Sequence, residues 1–122
     1  ITLESRYFQK IINEFSTIGE TIDISINKTE KEISLKCNGE MTHVNMVLNE
    51  NSNIVYENLI DVSQKYSIKN MELFSKGYNI NKHMYFYIGD SIPLKMGYNF
   101  IDNSYVHYYI APKIDDYDDY ND

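Results

Sequence analysis

Only one cysteine occurs in this 122-residue chain. Cys37 therefore closes no disulfide within the chain and fits a reducing compartment. It alternates with Ile33 and Leu35 on an apparent strand, which makes it a buried, inert thiol. No apolar run approaches the length of a membrane-spanning helix. No basic-plus-apolar leader opens the chain, and there is no initiator methionine, so we expect a piece of a longer protein. Catalytic signatures are also missing. His43, His83 and His107 lie far apart, and none has a second metal ligand at helix or hairpin spacing. There is no Gly-Lys-Ser/Thr phosphate loop, no Gly-x-Gly-x-x-Gly and no Gly-x-Ser-x-Gly. We expect no enzyme, no metal and no cofactor.

Basic residues are in the minority, eleven against eighteen acidic ones, for a net charge of −7. Five of those acids are aspartates within the last eight residues, from Asp115 to Asp122. A tail of this composition is solvated and disordered. We therefore divide the chain into a domain over 1–114 and an acidic disordered tail over 115–122. An acidic chain does not read as a nucleic-acid binder. The field that a ligand feels is local, however, and one face can be basic while the whole is acidic.

What the chain does have is one pattern written twice. Thr2 to Glu4 reads as a strand. Ser5 is placed to cap a helix over Arg6 to Ile18, with Gly19 ending it in the left-handed conformation. Three alternating strands follow, through Ile22–Ile26, Ile33–Cys37 and Val44–Leu48. Asn27-Lys28-Thr29 is a turn between the first two. Asn49 to Asn53 is a polar loop, and Ile54 to Ile60 is a further strand or a crossing segment. The pattern then restarts. Val62 to Tyr66 is a strand, Ser67 a cap, Ile68 to Lys76 a helix and Gly77 its stop, with strands over Ile80–Ile88, Ile92–Phe100 and Tyr105–Ile110. The spacing predicts an α+β fold of two strand-helix-three-strand repeats, with both helices packed on one face of a mainly antiparallel sheet. Phe8, Ile11, Ile12 and Phe15 form the buried stripe of the first helix. Arg6, Gln9, Lys10, Asn13, Glu14 and Thr17 lie opposite. On the second, Ile68, Met71 and Phe74 face inward, and Lys69, Asn70, Glu72 and Lys76 face out.

The end of the chain carries a more specific signal. Tyr108-Tyr109-Ile110-Ala111-Pro112-Lys113-Ile114 is a strand broken by a proline, which donates no backbone hydrogen bond, and it stays apolar up to the acidic tail. This run resembles the carboxyl-terminal end of the proliferating cell nuclear antigen (PCNA) family of DNA sliding clamps, where Tyr-Tyr-Leu-Ala-Pro-Lys-Ile precedes a short acidic tail. Ser16-Thr17-Ile18-Gly19-Glu20, Gly39-Glu40-Met41, Met71-Glu72-Leu73-Phe74-Ser75-Lys76 and Ile92-Pro93-Leu94 resemble further stretches of the family's second domain, in the same order.

The resemblance implies a fragment of a DNA polymerase processivity factor whose intact form encircles duplex DNA. Implied partners are DNA polymerase, other proteins with clamp-interacting peptides, and a clamp loader. The implied assembly is a homotrimer, at work in the nucleus or at a viral replication site. It implies DNA-facing residues at Lys10, Lys69 and Lys76. Asn13 and His107 stand where the family commonly has basic residues. It implies a subunit interface along Thr42, His43, Val44, Asn45, Met46, Val47 and Leu48. It also implies a partner-peptide site at Pro93, Tyr109, Ala111, Pro112, Lys113 and Ile114. Alone, the chain is expected to be a monomer or a non-native edge-to-edge dimer. The alternatives are a checkpoint-type clamp subunit, or a peptide-binding α+β module unrelated to DNA.

Overall fold

A computed structural model of the chain describes residues 1–51 and 53–113. Its elements run β1 (Thr2–Glu4), α1 (Ser5–Ser16), β2 (Thr21–Asn27), β3 (Glu32–Asn38), β4 (His43–Leu48), β5 (Val62–Ser67), α2 (Ile68–Ser75), a 3-10 turn (Lys76–Asn79), β6 (His83–Tyr87), β7 (Leu94–Asn99) and β8 (Tyr105–Ile110). The strand-helix-three-strand unit occurs twice. Strict alternation buries Ile22, Ile24 and Ile26 of β2 and Ile33, Leu35 and Cys37 of β3 on one face.

The single expected sheet resolves into two antiparallel ones, ordered β4-β3-β2-β5 and β1-β6-β7-β8. Each repeat gives its first strand to the other repeat's sheet. Thus β5 pairs with β2, and β1 pairs with β6. The segment Ile54–Ile60 forms no further strand. Val55 alone exchanges two backbone hydrogen bonds with Thr2, both 2.9 Å, and so covers the outer edge of β1.

The helices seal the core. Ser5, Phe8, Ile11, Ile12 and Phe15 of α1 and Ile68, Met71 and Ser75 of α2 are buried. Phe8 meets Phe86 with ring centroids 5.9 Å apart, and Phe74 stacks on Tyr108 at 4.5 Å. Each such apolar side chain contributes about 1.5–3 kcal/mol by leaving water. Cys37 is buried as expected. Its Sγ donates to the Phe15 carbonyl, 3.7 Å away, and burial pushes its thiol pKa up. A thiol kept protonated is a poor nucleophile.

Local signals mislead at three positions. Ser67 does cap α2, accepting from the Asn70 N–H. Ser5 does not cap α1. It lies inside the helix, and its hydroxyl donates to the Asn81 carbonyl at 2.7 Å. Neither Gly19 nor Gly77 adopts a left-handed conformation, and both helices stop earlier than expected. These glycines permit close approach instead. A Cβ on Gly19 would lie 2.7 Å from the Asn38 carbonyl oxygen, and one on Gly77 would lie 2.7 Å from the Tyr98 ring. Tyr98 cannot retreat, because it is fully buried and its hydroxyl donates to the Phe74 carbonyl at 3.0 Å. Gly77→Ala should therefore destabilise the domain by about 1–3 kcal/mol, as overpacking does. Thermal denaturation reads this directly. An unchanged melting midpoint would show that the Tyr98 site has slack.

Candidate functional site

The first candidate surface is the outer face of the two helices. Lys10 and Asn13 of α1, Lys69 of α2 and Lys76 of the following turn are all exposed. Amphipathic spacing puts them there, because the opposite stripe of each helix is in the core. Arg6, on the same outer face of α1 but not among the DNA-facing residues that the resemblance implies, belongs with them. It is exposed one helical turn before Lys10, and its guanidinium sits 4.9 Å from the centre of the Tyr78 ring. The i, i+4 spacing to Lys10 was the available signal. These elements carry four cations, Arg6, Lys10, Lys69 and Lys76, and two acids, Glu14 and Glu72, in a chain of net charge −7.

His107 does not belong to this surface. Tyr108 stacks on Phe74 of α2, so the preceding residue of β8 points to the other side of the sheet. There the His107 Nε2 lies 3.1 Å from the Tyr85 hydroxyl, among Tyr105, Tyr85 and Tyr109 rings. Desolvation and then Lys95 hold its pKa below the ordinary histidine value. It lies on the other side of the sheet from the helix cations.

The second surface is an open strand edge. Among the described residues β4 pairs only with β3, in the register Ile33–Leu48 to Asn38–His43. Thr42 stands just outside the strand, and its carbonyl accepts from the Gly39 N–H at 2.7 Å. That bond fixes the parity of the ladder, since hydrogen-bonded and non-hydrogen-bonded pairs alternate. Val44, Met46 and Leu48 turn their backbone groups to β3. His43, Asn45 and Val47 turn theirs outward. The same parity argument applies to β8, where Phe100 N–H donates to Ser104 at 2.7 Å. Tyr105, His107 and Tyr109 then face an edge on which no strand is paired among the described residues.

The third surface gathers where β7 begins and β8 ends, with Leu94 opposite Ile110. Pro93, Tyr109 and Ala111 are exposed, and Pro112 is half-buried. The structure thus brings these four residues to one end of one sheet. Lys113 is committed elsewhere than the sequence suggested. Its backbone N–H donates to the Lys65 carbonyl of β5 at 2.7 Å, and its Nζ donates to the Thr21 hydroxyl at 2.8 Å. That N–H is therefore not available to a docking peptide. Ile114 and the tail over 115–122 lie outside the described residues. Among the described residues, no three His, Cys, Asp or Glu side chains are grouped to hold a metal ion.

A doubled strand-helix-three-strand unit, with paired helices presenting cations and with an open strand edge, defines a DNA-clamp domain. The comparisons name the family within that class. The family described as proliferating cell nuclear antigen, C-terminal domain, matches residues 1–113, and the chain belongs to it. It is 26% identical over 123 aligned positions to the proliferating cell nuclear antigen of Chaetomium thermophilum, covering 95% of this chain and 47% of that protein. It superposes on the crystal structure of the antigen from Entamoeba histolytica with a TM-score of 0.82 at 27% identity, covering 93% of this chain and 44% of that one. The chain thus spans about half the length of these relatives.

Proposed function

We propose that the intact protein is a sliding clamp and DNA polymerase processivity factor, a homotrimeric ring around duplex DNA that tethers replication and repair enzymes. The observation that carries this reading is the cationic helix face of an acidic chain in a clamp-domain fold. Lysines on a solvated helix meet phosphates without reading bases, so they attract the duplex and leave it free to slide. The open edges of β4 and β8 support the ring. A domain that can be extended at two edges can be joined to a neighbour on either side, and head-to-tail contacts of this kind close into rings. The reading places the protein in the nucleus or at a viral replication site, served there by a clamp loader.

The test is Lys10→Ala, Lys69→Ala and Lys76→Ala combined in the full-length protein. Polymerase processivity should fall, with melting unchanged. The slope of log affinity for DNA against log salt should shrink by about 0.9 for each lysine that had met a phosphate. Unchanged processivity and an unchanged slope would remove this face from the mechanism. The isolated domain should bind duplex DNA no better than ordinary non-specific contact, roughly 10⁻⁴ to 10⁻⁶ M.

A further inference from the structure

Two separate segments meet at the end of the second sheet, and both are tied to the same strand of the first. Lys113 is held by the carbonyl of Lys65 and the hydroxyl of Thr21. One residue earlier on β5, the side-chain amide of Gln64 holds the loop between β6 and β7. Its Nε2 donates to the Gly89 carbonyl, and its Oε1 accepts from the Ser91 N–H at 3.3 Å. The same Nε2 lies 3.3 Å from the Tyr66 hydroxyl, which steadies the amide from behind.

The loop needs holding. Ser91 has φ 60°, a left-handed backbone that is costly for a residue with a Cβ. Gly89 is buried beneath Ile92, where a Cβ would come within 2.5 Å of the Ile92 side chain. Pro93 follows directly. The amide bridges two loop backbone groups much as a neighbouring strand would, and so fixes where Pro93 stands relative to Tyr109 and Ala111.

We infer that Gln64 is a positioning residue for peptide docking, holding the Pro93 loop on β5 beside the anchored Lys113. The inference rests on the reading of Pro93, Tyr109, Ala111 and Pro112 as a docking site for the clamp-interacting peptides that the resemblance implies. It predicts that the loop's conformation, and not direct contact with Gln64, sets part of the affinity.

The experiment uses full-length protein in four forms: wild type, Gln64→Leu, Ser91→Gly and the double variant. A clamp-interacting peptide from a replicative DNA polymerase is titrated into each, and duplex DNA association is measured in parallel. Gln64→Leu should weaken peptide binding about tenfold, the effect of losing paired hydrogen bonds, and leave DNA association unchanged. Glycine accepts the left-handed backbone freely. In the Ser91→Gly background the same change should therefore cost threefold or less, a coupling that additive structural damage would not produce. Should Gln64→Leu fail to fold, Gln64→Glu serves. It keeps the acceptor for Ser91 but sets a carboxylate oxygen against the Gly89 carbonyl, two acceptors that repel, so its affinity should fall at least as far as that of Gln64→Leu. Wild-type binding with equal binding by the Gln64 variant would overturn the inference and leave the docking site standing. No binding by the wild type would overturn the docking site itself, and the inference with it.

Discussion

Asn45→Pro and Val47→Pro are each expected to dismantle the assembly of the intact protein while leaving this domain folded. Both residues lie in β4, the edge strand that pairs only with β3 among the described residues. The Gly39-to-Thr42 bond makes their N–H groups the outward ones. Proline on the free side of an edge strand removes a donor that only an incoming strand would use. A ladder bond lost from a buried interface costs roughly 1–3 kcal/mol, which is about fivefold to 150-fold in association at each subunit boundary. Val44→Pro and Met46→Pro act differently. Their N–H groups face Cys37 and Leu35 of β3, so those changes should lower the melting midpoint of the domain itself. Sedimentation velocity on the four variants, with melting curves beside it, separates the two classes. If Asn45→Pro and Val47→Pro still sediment as the wild-type oligomer, the subunit contact lies elsewhere.

Peptide binding should vanish when the full-length protein is cut after Ile110 and persist when it is cut after Ile114. The first cut removes Ala111, Pro112 and Lys113, including both bonds that tie the segment to Lys65 and Thr21. Two of the four residues read as the docking site, Ala111 and Pro112, go with that segment, and with them the backbone groups that an extended peptide would meet. The loss should be at least tenfold, readable by fluorescence anisotropy. Because the Lys113 N–H already serves Lys65, strand parity leaves the carbonyl of Pro112 facing away from β5, open to an extended peptide. The second cut removes only the acidic tail. It should cost a small, salt-sensitive share of the affinity for peptides with basic flanks. Equal binding after both cuts would rule out the segment.

Much of this architecture was legible in the chain. The period-2 runs located β2, β3, β4, β5 and β8 closely, and the period-3.6 stripe of α1 predicted its buried face. Errors gathered at element ends and at residues whose partners are distant in sequence. Ser5 and Ser67 occupy the same place in the two repeats, yet only Ser67 caps its helix. The pairing of β1 with β6 brings the backbone of Asn81 and Lys82 beside Ser5, and its hydroxyl and N–H are used there. Gly19 and Gly77 looked like helix stops because glycine accepts left-handed backbone. Both are glycine for another reason, the approach of Asn38 and Tyr98.

By itself, then, the sequence determined which segments are strands and helices, which helix faces are wet and cationic, and that the chain ends in an acidic run. Those properties are periodic or compositional, and each is written within a few neighbouring residues. Tertiary structure alone decided that the repeats exchange their first strands and that His107 faces away from the helix cations. It also decided that Asn45 and Val47 turn their backbone groups to the open edge, and that Gln64 and Lys65 hold the loop of Gly89 and Ser91, and Lys113, at the end of the second sheet. Each of these depends on strand pairing between residues far apart in the chain. A strand's periodicity says which side chains are buried, but not which strand its backbone groups will meet.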